Sequence, residues 1–550
     1  MRIFKLLLLL SSITLWAQPF SSRKNYSETD TLRGSNTEYR KGWDVRHYDL
    51  VIEPDFNTQS IKGINVIKFD VDESPVIQID LQHPMAIDSI FTSDSISVPF
   101  IKKGNFYYLT LTGYFKNNTK NNELRIYFSG KPVVAKKAPW DGGWIFTRDE
   151  NNNHWMTVAC EGEGASIWFP CKDYLGDEPE EGATITICTD RNLKGVGNGK
   201  LIKTTEDKEK TYYTWQVVNP INNYNIIPYI GDYVNFSDTY IGEKGTLQLE
   251  YWVLPYNLDK AKDQFKQVKE MLQALEYWFG PYPFYEDGYK LVEAPHLGME
   301  HQSAIAYGNG YINGYSGYDR SGTGVGLNWD FIIVHESGHE WFGNSISNAD
   351  VADMWIHEAF ATYSETLFVE YHYGKKAADE YIVGQRKNIQ NDIPIIGLYG
   401  VHQEGSSDMY DKGANMLHTI RQIIDDDDKF RDILRGLNKE FYHQTVTTRQ
   451  IENYISQKSG MDLSKIFDQY LRTPRIPTLI YYIDKGISYQ WVNVIPDFTM
   501  EINTSIGKIK PTTQWKSAKI TQGTCFSVDK NYYIDVRNIN KTGDRCKSQR

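Results

Sequence analysis

Short runs of β-branched and aromatic residues fill the chain from about residue 44 to residue 256, and Asn, Gly, Asp and Pro separate them. Apolar runs of this length between turn residues are typical of β-strands. The strands that we predict are Ile61 to Val71, Val76 to Leu81, Phe106 to Leu111, Glu123 to Phe128, Ala183 to Cys188 and Leu247 to Leu254. The pattern predicts an N-terminal β-sandwich or saddle-shaped β-domain over residues 44–256.

The apolar spacing changes from strand-like to helical at Asn257. Between Asp259 and Phe279 apolar residues recur every three or four positions, which is typical of a helix, and Gly280 and Pro281 end the pattern. A glycine-rich loop follows, and then a mainly helical stretch for which Asp330 is a candidate N-cap. We predict a mainly helical domain over residues 257–474.

Strand patterns return after Pro474 and Pro477, in the segments LIYYID, YQWVNV and NYYIDV. They predict a small C-terminal β-domain over residues 475–550. The chain as a whole is therefore expected to be a multidomain α+β protein.

The N-terminus has the pattern of a signal peptide. Arg2 and Lys5 form a basic start, an apolar run follows, and Ala17 ends a plausible cleavage site. The apolar run is shorter than the ~20 residues that a membrane-spanning helix needs. We predict a signal peptide over residues 1–17 and a linker over residues 18–43, and hence a protein exported to the periplasm or secreted, with no membrane attachment after the signal is removed.

Charge and cysteine content exclude some functions. The formal net charge is −11 and no basic block is present, so nucleic acids and anionic membrane surfaces are poor partners. In an exported protein some of the five cysteines can pair, and we predict a disulfide between Cys525 and Cys546. No cysteine spacing resembles a zinc site.

The segment FIIVHESGHEWFGN carries two histidines, His335 and His339, that share one face of a helix because they lie four residues apart. Zinc prefers such nitrogen ligands, although two hydrogen-bonded histidines on a buried helix would give the same pattern. The metzincin pattern fails because Phe342 and Ser345 occupy its glycine and histidine positions. Glu358, in the next predicted helix, is the candidate third ligand. We predict one zinc ion per chain.

Glu336 lies between the two histidines and cannot easily bind the same metal ion. It can reach a water activated by the zinc, accept its proton and deliver that proton to a leaving amine. The predicted reaction is amide hydrolysis without a covalent intermediate. Glu365, seven residues after Glu358, either orients a zinc-binding histidine or forms a surface salt bridge, and the sequence leaves both open.

These motifs resemble those of the zinc aminopeptidases related to aminopeptidase N and leukotriene hydrolase, which form peptidase family M1 among the gluzincins. The resemblance rests on the segments HESGHEW, WIHEAFATYSE, LEYWFGPYPF, LGMEHQ, YDKGANML and CEGEGASIWFPCKD, and it extends from about residue 44 to residue 480. It implies that the helical domain is a thermolysin-like catalytic domain.

The resemblance also implies roles for further residues. Gly298, Met299 and Glu300 match the family's GxMEN motif, in which the glutamate binds the free α-amino group of the substrate. Glu161 matches a second amine-binding position. Tyr410 matches the phenol that stabilises the oxyanion of the tetrahedral intermediate. Carboxylates that bind a protonated amine favour exopeptidase cleavage, because an internal peptide bond would leave them unpaired.

The chain departs from the family at several positions. Leu297 replaces the first glycine of GxMEN, His301 replaces its asparagine, and His357 replaces the asparagine before the zinc-binding glutamate. We expect both histidines to be structural. Glu163 is a close rival of Glu161 for the second amine-binding position.

We therefore predict an exported zinc aminopeptidase whose partners are peptides with a free N-terminus. A thermolysin-type zinc endopeptidase, an inactive relative that serves as a binding protein, and a hydrolase of lipid epoxides are the alternatives. The sequence does not indicate the preferred N-terminal side chain or the oligomeric state.

Overall fold

The computed structural model describes residues 26–72, 75–116, 119–520 and 525–540. Strands dominate before residue 254, helices dominate from Leu258 to Leu471, and strands return from Thr478. This is the predicted α+β architecture. The predicted signal peptide lies outside the described residues. None of the helices in the described ranges has both the length and the apolar character that a membrane span requires.

The N-terminal region is a sandwich of sheets around one hydrophobic core. A seven-stranded sheet has the spatial order Lys200–Glu206, Lys210–Val217, Ala183–Asp190, Trp43–Asp55, Ser60–Val71, Thr119–Gly130, Ala86–Thr92. A four-stranded sheet has the order Lys194–Val196, Tyr229–Gly231, His154–Ala159, Gly143–Arg148, and a three-stranded sheet the order Val76–Asp80, Phe106–Thr110, Phe100–Lys103. Ile52 and Trp215 of the first sheet and Trp144 and Val158 of the second belong to the same buried cluster. Burial of alternate side chains explains why the strand pattern is readable in the sequence.

A five-stranded sheet connects this region with the helices. Its order is Val234–Gly242, Gly245–Val253, Tyr289–Glu293, Ile305–Tyr307, Gly298–Met299. The strand Gly245–Val253 pairs in parallel with Tyr289–Glu293, so that Leu249 lies opposite Tyr289. The sheet thus runs across the boundary that we predict at residue 256. A parallel pairing between distant strands leaves no mark on the local pattern from which that boundary was drawn.

The helical region contains nine α-helices among the described residues. They are Leu258–Gln264, Gln267–Phe279, Phe331–Gly338, Trp355–Tyr373, Lys375–Gln385, Asp411–Ile424, Asp427–Glu440, Thr448–Ser459 and Ser464–Leu471. The single helix predicted from Asp259 to Phe279 is therefore two helices. The chain turns at Phe265, yet Phe265 and Val268 are both buried, so the apolar spacing continues across the break and conceals it.

The C-terminal strands form a four-stranded sheet in the order Lys516–Ala518, Ile487–Val492, Thr478–Ile483, Asp535–Asn538, with a separate hairpin of Ile502–Thr504 and Gly507–Ile509. A two-stranded sheet within the helical region pairs Ile346–Asn348 with Gln444–Val446. Cys525 is disulfide-bonded. Its predicted partner Cys546 lies outside the described residues.

The linker predicted over residues 18–43 is structured in the part that the structure describes. It forms two short helices, Glu28–Gly34 and Glu38–Lys41. The side chain of Arg40 is completely buried. The polar composition of this segment conceals its packing, because Arg40 is buried through ion pairing rather than through apolar contacts.

Candidate active site

The helix Phe331–Gly338, here called the motif helix, is buried along its whole length. Asp330 caps it, as predicted, because its Oδ1 accepts hydrogen bonds from the amides of Ile332 (3.1 Å) and Ile333 (3.3 Å). His339 follows directly after the helix and keeps helical backbone angles. His335 and His339 therefore project from the same side.

The helix Trp355–Tyr373, here called the glutamate helix, packs closely on the motif helix. A Cβ on Gly338 would lie 2.5 Å from Ser364 Oγ, so glycine lets the two helices approach without moving this side chain. The approach brings Glu358 to the histidines: its Oε2 lies 3.8 Å from His335 Nε2 and 3.6 Å from His339 Nε2. The three ligand atoms lie within 4.8 Å of one another.

Hydrogen bonding at the histidines indicates a cation site. His335 Nδ1 lies 2.8 Å from Glu365 Oε1, and His339 Nδ1 lies 3.1 Å from the carbonyl oxygen of Phe342. Both acceptors fix the proton on Nδ1, so each Nε2 presents a lone pair. Burial lowers the pKa of His335 to about 3 and that of His339 to about 4, which keeps both rings neutral.

Glu358 completes this arrangement. Its Oε2 is buried and has no hydrogen-bond partner among the described residues. Two neutral imidazole nitrogens and one carboxylate oxygen thus face a common point with no proton donor between them. Such a set matches the ligands of a catalytic zinc site, which uses three protein ligands and leaves a position open.

Glu365 is completely buried and makes no surface salt bridge. Its Oε1 contacts His335, and its Oε2 accepts hydrogen bonds from Tyr381 Oη (2.7 Å) and Gln385 Nε2 (2.8 Å). The structure therefore favours the first of the two roles left open by the sequence, and the surface salt bridge is wrong. Orientation of a histidine by a buried carboxylate is a common feature of zinc sites.

The strand Gly298–Met299 lies against the motif helix and leads into Glu300. A Cβ on Gly298 would lie 2.7 Å from Glu336 Oε1, so glycine at this position lets the strand lie against Glu336 without displacing its carboxyl. Carboxyl oxygens of Glu300 and Glu336 lie within 4.8 Å of a ring nitrogen of His339. Burial raises the pKa of Glu336 well above its usual value, and the nearby Glu300 and Glu365 raise it further.

Glu161 lies in a turn that follows the strand His154–Ala159. Its Oε1 is buried without a hydrogen-bond partner among the described residues. Burial raises the pKa of Glu161 well above its usual value, and so do Glu300 and Glu358. The rival Glu163 does not line the cavity, and its side chain is 44% exposed. Carboxyls clustered in this way favour a positively charged group between them.

Tyr410 immediately precedes the helix Asp411–Ile424, here called the tyrosine helix. Its ring lies 6.2 Å from the ring of His335, centroid to centroid. Burial and the neighbouring Glu358 raise the pKa of Tyr410 well above its usual value. Its hydroxyl is therefore protonated at neutral pH and can donate a hydrogen bond.

All nine predicted site residues line one cavity of about 640 Å³. Its further lining includes Trp140, Leu297, Tyr315 and Tyr318, which are apolar or aromatic, and the acidic Glu404. A cleft of this size with a few convergent polar groups is typical of a small-substrate site.

Sequence reasoning missed two residues at this site. Tyr224 donates its hydroxyl to Glu300 Oε1 at 3.0 Å. Arg320 Nη2 lies 2.9 Å from Asp411 Oδ2, and its guanidinium lies over the ring of Phe331 at 5.5 Å. Neither occurs in a motif with a recognisable spacing. The glycine-rich loop around Arg320 is the only signal that the sequence offers.

The substituted histidines lie outside the cavity. His301 Nδ1 lies 2.6 Å from Tyr229 Oη, and His357 Nε2 accepts a hydrogen bond from the amide of Asn348 at 3.0 Å. Both contacts are consistent with the structural role that we predict. Leu297, in contrast, lines the cavity.

The chain is similar to known proteins in both sequence and fold. The family model described as "Peptidase family M1 domain" matches residues 256–470, and "Peptidase M1 N-terminal domain" matches residues 45–224. The chain is 23% identical over 467 residues to "Probable aminopeptidase 1" of Sulfurisphaera tokodaii, covering 80% of this chain and 54% of that protein. It is 25% identical over 328 residues to "Aminopeptidase B" of Mus musculus, covering 54% and 48%. The chain spans about half the length of the curated relatives that it matches.

A solved structure shares the fold. The M1 zinc metallopeptidase from Deinococcus radiodurans superposes with a TM-score of 0.66 at 19% identity, covering 82% of this chain and 99% of that chain. This likeness supports the multidomain α+β architecture. The two family models and the donor set around His335 agree with the predicted cofactor, one zinc ion.

Proposed function

Because this chain belongs to peptidase family M1, we propose that it is an exported zinc-dependent aminopeptidase that removes the N-terminal residue from peptides. One observation carries the proposal. Glu300 and the half-buried Glu161, whose Oε1 is buried, line the same cavity as the three candidate metal ligands. A free ammonium group placed between them could donate hydrogen bonds to both carboxyls and offset part of their negative charge, and an internal peptide bond offers no such group.

His335, His339 and Glu358 would hold the zinc ion. When bound, the ion would polarise the scissile carbonyl group and make a water more acidic. The protein's own contribution is to keep the ligands in their binding state. Glu365 and the carbonyl of Phe342 hold the two imidazole protons on Nδ1, so that both Nε2 atoms remain free.

Glu336 would act as the general base. Its carboxylate accepts a proton from the attacking water and passes it to the nitrogen of the leaving amine, which would otherwise depart as an unstable anion. The raised pKa of Glu336 suits this exchange, because a carboxyl with a pKa nearer to neutrality both accepts and releases a proton readily. Gly298 lets the strand Gly298–Met299 lie close to this carboxyl.

Glu300 and Glu161 would bind the free α-amino group. Tyr224 holds the Glu300 carboxyl in place through its hydrogen bond to Oε1, and Asn344 Nδ2 donates to the carbonyl oxygen of Glu300 at 2.8 Å. Fixed carboxyls of this kind set the distance from the N-terminus to the scissile bond. The endopeptidase alternative would leave both acids without a cation to balance them.

Tyr410 would stabilise the oxyanion that forms on the carbonyl oxygen during attack. Its protonated hydroxyl is a donor that is already oriented in the cavity, and a donor aimed at developing charge is worth more in a buried site than in water. Intact candidate ligands, base and phenol also argue against an inactive binding protein.

A panel of aminoacyl anilides would test the proposal. Wild-type protein should hydrolyse free-amine anilides but not their N-acetylated forms, a chelator should abolish the activity, and added zinc should restore it. Glu336→Gln should reduce kcat by a factor of ~10²–10⁴ while retaining zinc. Efficient cleavage of the N-acetylated anilides would favour the endopeptidase instead, and zinc binding without any hydrolysis would favour the inactive relative.

The export part of the proposal rests on residues 1–17, which have the charge and apolar pattern of a signal peptide. Fractionation of the native host, followed by mass spectrometry of the mature N-terminus, would test it. A mature chain that begins at Gln18 in the periplasm or the medium is expected. A chain that retains residues 1–17 in the cytoplasm would contradict it.

A further inference from the structure

The residues that precede the N-terminal family match form a strap that packs beside the turn carrying Glu161. The strap, residues 27–41, contains the helices Glu28–Gly34 and Glu38–Lys41. The matched family region begins only at residue 45, so the strap is an addition to the part that the family model describes.

A buried ion pair fixes the strap to the N-terminal sheets. Arg40 Nη2 lies 2.7 Å from Asp80 Oδ2, and both side chains are almost completely buried. Arg40 Nη1 donates to the carbonyl oxygens of Arg33 (3.1 Å) and Ser35 (2.8 Å). Asp80 Oδ2 also accepts from the amide of Asp173 at 2.9 Å. A buried pair with these additional hydrogen bonds gives the strap a single position.

The strap contacts a loop of the helical region backbone to backbone. The amide of His402 donates to the carbonyl oxygen of Asp30 at 3.1 Å. Gly34 lies directly against the loop, since a Cβ at this position would be 2.1 Å from the carbonyl carbon of Val401. The same loop carries Glu404, which lines the cavity, and continues to Tyr410.

Arg33 joins this loop to the turn that carries Glu161. Its Nη2 donates to the carbonyl oxygen of Glu163 at 2.5 Å and lies 3.0 Å from His402 Nε2. That ring nitrogen is also 2.8 Å from the carbonyl oxygen of Gly162. A carbonyl can only accept, so His402 Nε2 donates to Gly162 and the guanidinium lies beside it. Arg33 and His402 together hold two consecutive carbonyl groups of the turn.

These contacts lie next to the amine-binding position. The turn reverses the chain over a few residues, with the amides of Glu163 (3.2 Å) and Gly164 (2.7 Å) donating to the carbonyl oxygen of Cys160. Gly162 and Glu163 directly follow Glu161, so any displacement of their carbonyls also displaces Glu161. Glu161 Oε1 has no hydrogen-bond partner among the described residues, so the backbone of the turn contributes to the position of this side chain.

We propose that Arg33 and Gly34 are positioning residues, and that the strap holds the turn so that Glu161 faces Glu300 across the α-amino group of the substrate. The inference rests on the proposed function, because it concerns amine binding. Within the described ranges, no hydrogen bond or ion pair joins the strap to the candidate metal ligands or to Glu336, and the strap does not line their cavity. It should therefore affect recognition of the amine and leave metal binding unchanged.

Two hydroxamate inhibitors would test the proposal. One is the hydroxamate of the amino acid that the anilide panel shows to be preferred, and the other is the same molecule without its α-amino group. Both carry the same metal-binding group. The variants are Arg33→Gln, Gly34→Ala and the conservative Arg33→Lys, and the matched control is Lys41→Ala, an exposed residue of the same strap.

In Arg33→Gln and Gly34→Ala the inhibition constant of the amine-bearing hydroxamate should rise about tenfold, because a small displacement of a binding group is costly. The inhibition constant of the des-amino hydroxamate should stay unchanged, and KM for the anilide should rise much more than kcat falls. Arg33→Lys should recover part of the loss, and Lys41→Ala should behave as wild type. Arg33→Gln alone decides the question if Gly34→Ala does not fold.

Equal weakening of both hydroxamates, or of neither, in Arg33→Gln would overturn the positioning role. A different result would count against the proposed function itself: wild-type protein that binds both hydroxamates equally would show that no carboxyl recognises the amine. The measurement on wild-type protein therefore tests the proposed function, and the measurement on Arg33→Gln tests the positioning role.

Discussion

Glu365 Oε1 lies 2.8 Å from His335 Nδ1, and this contact determines which nitrogen of His335 faces Glu358. Because the carboxylate holds the proton on Nδ1, Nε2 is left as the electron donor, 3.8 Å from Glu358 Oε2. Tyr381 and Gln385 occupy the second oxygen of Glu365 and so prevent the carboxylate from rotating away. The imidazole of His335 on the motif helix is thus oriented by residues of the glutamate helix and of the helix Lys375–Gln385.

Replacement of Glu365 by glutamine should weaken metal binding. The neutral amide is a poorer acceptor for the imidazole proton and can also turn its NH₂ group toward the ring, which would destabilise the required tautomer. We expect zinc affinity to fall by a factor of ~10–100, as is usual when a residue that hydrogen-bonds to a metal ligand is replaced. Competition with a coloured chelator would measure it.

Glu380→Gln is the matched control for this measurement, because Glu380 lies on the same helix as Tyr381 but is exposed. Its zinc affinity should equal that of wild type. An unchanged affinity in Glu365→Gln would show that the carboxylate only fills space in the core.

Replacement of Tyr410 by phenylalanine should lower kcat without loss of zinc. The ring keeps its packing against His335, whereas the donor for the oxyanion is removed. Loss of one such donor reduces kcat by a factor of ~10²–10³. Steady-state kinetics on the preferred anilide, together with zinc analysis, would check both parts.

Tyr318→Phe provides the comparison, since Tyr318 lines the same cavity and is 59% exposed. Its kcat should remain close to that of wild type. If Tyr410→Phe raised KM alone, the phenol would have to be assigned to substrate binding rather than to the transition state.

The parts of the site that lie within short motifs could be predicted from the sequence, because helical periodicity alone brings His335 and His339 together. Glu358 could be predicted for a similar reason, since it lies in the first turn of the glutamate helix. Contacts between distant segments could not be predicted. The hydrogen bond from Tyr224 to Glu300 joins residues 76 positions apart and has no local signature.

In the fold, too, elements with a clear local pattern could be predicted, whereas contacts between distant segments could not. Burial of alternate residues makes Ser60–Val71 recognisable as a strand, and helical spacing identifies Gln267–Phe279. The packing of residues 28–41 was not predictable, because their composition is that of a solvated linker and their position depends on the ion pair of Arg40 with Asp80. Tertiary contacts of this kind override local patterns.

Removal of the N-cap of the motif helix should destabilise the protein. Asp330 caps two amides, and its carboxyl also accepts hydrogen bonds from Tyr307 Oη (2.7 Å), Asn309 Nδ2 (2.9 Å) and Gln264 Nε2 (2.7 Å). Asp330→Ala would leave several buried donors unsatisfied and should cost more than the ~1 kcal/mol that is typical of a cap alone.

Thermal unfolding would detect this loss, and Asp330→Asn is the informative comparison because asparagine caps helices as well as aspartate does. The alanine variant should unfold at a clearly lower temperature than the asparagine variant. Equal unfolding temperatures for the two variants would show that hydrogen bonds from a capping side chain at this position do not contribute to stability.

Glu404 should favour substrates with a cationic N-terminal side chain. It lines the cavity on the loop next to the turn of Glu161, and a Cβ on Gly162 would lie only 3.7 Å from its Oε1. Loss of hydration raises the pKa of Glu404, and no cation of the described residues offsets this rise. When Glu161 binds the α-amino group of a substrate, a lysine or arginine side chain on the same N-terminal residue would supply the positive charge that Glu404 lacks.

The prediction concerns a ratio of specificity constants. A partly exposed ion pair contributes up to ~1 kcal/mol, so Glu404→Gln should lower kcat/KM for lysyl anilide about fivefold relative to leucyl anilide. The effect should diminish at high salt, since ions screen exposed charges. Gln403→Ala, which changes the neighbouring side chain without altering charge, should leave the ratio as in wild type. If Glu404→Gln lowered kcat/KM equally for both anilides, Glu404 would support the cavity wall without selecting the side chain.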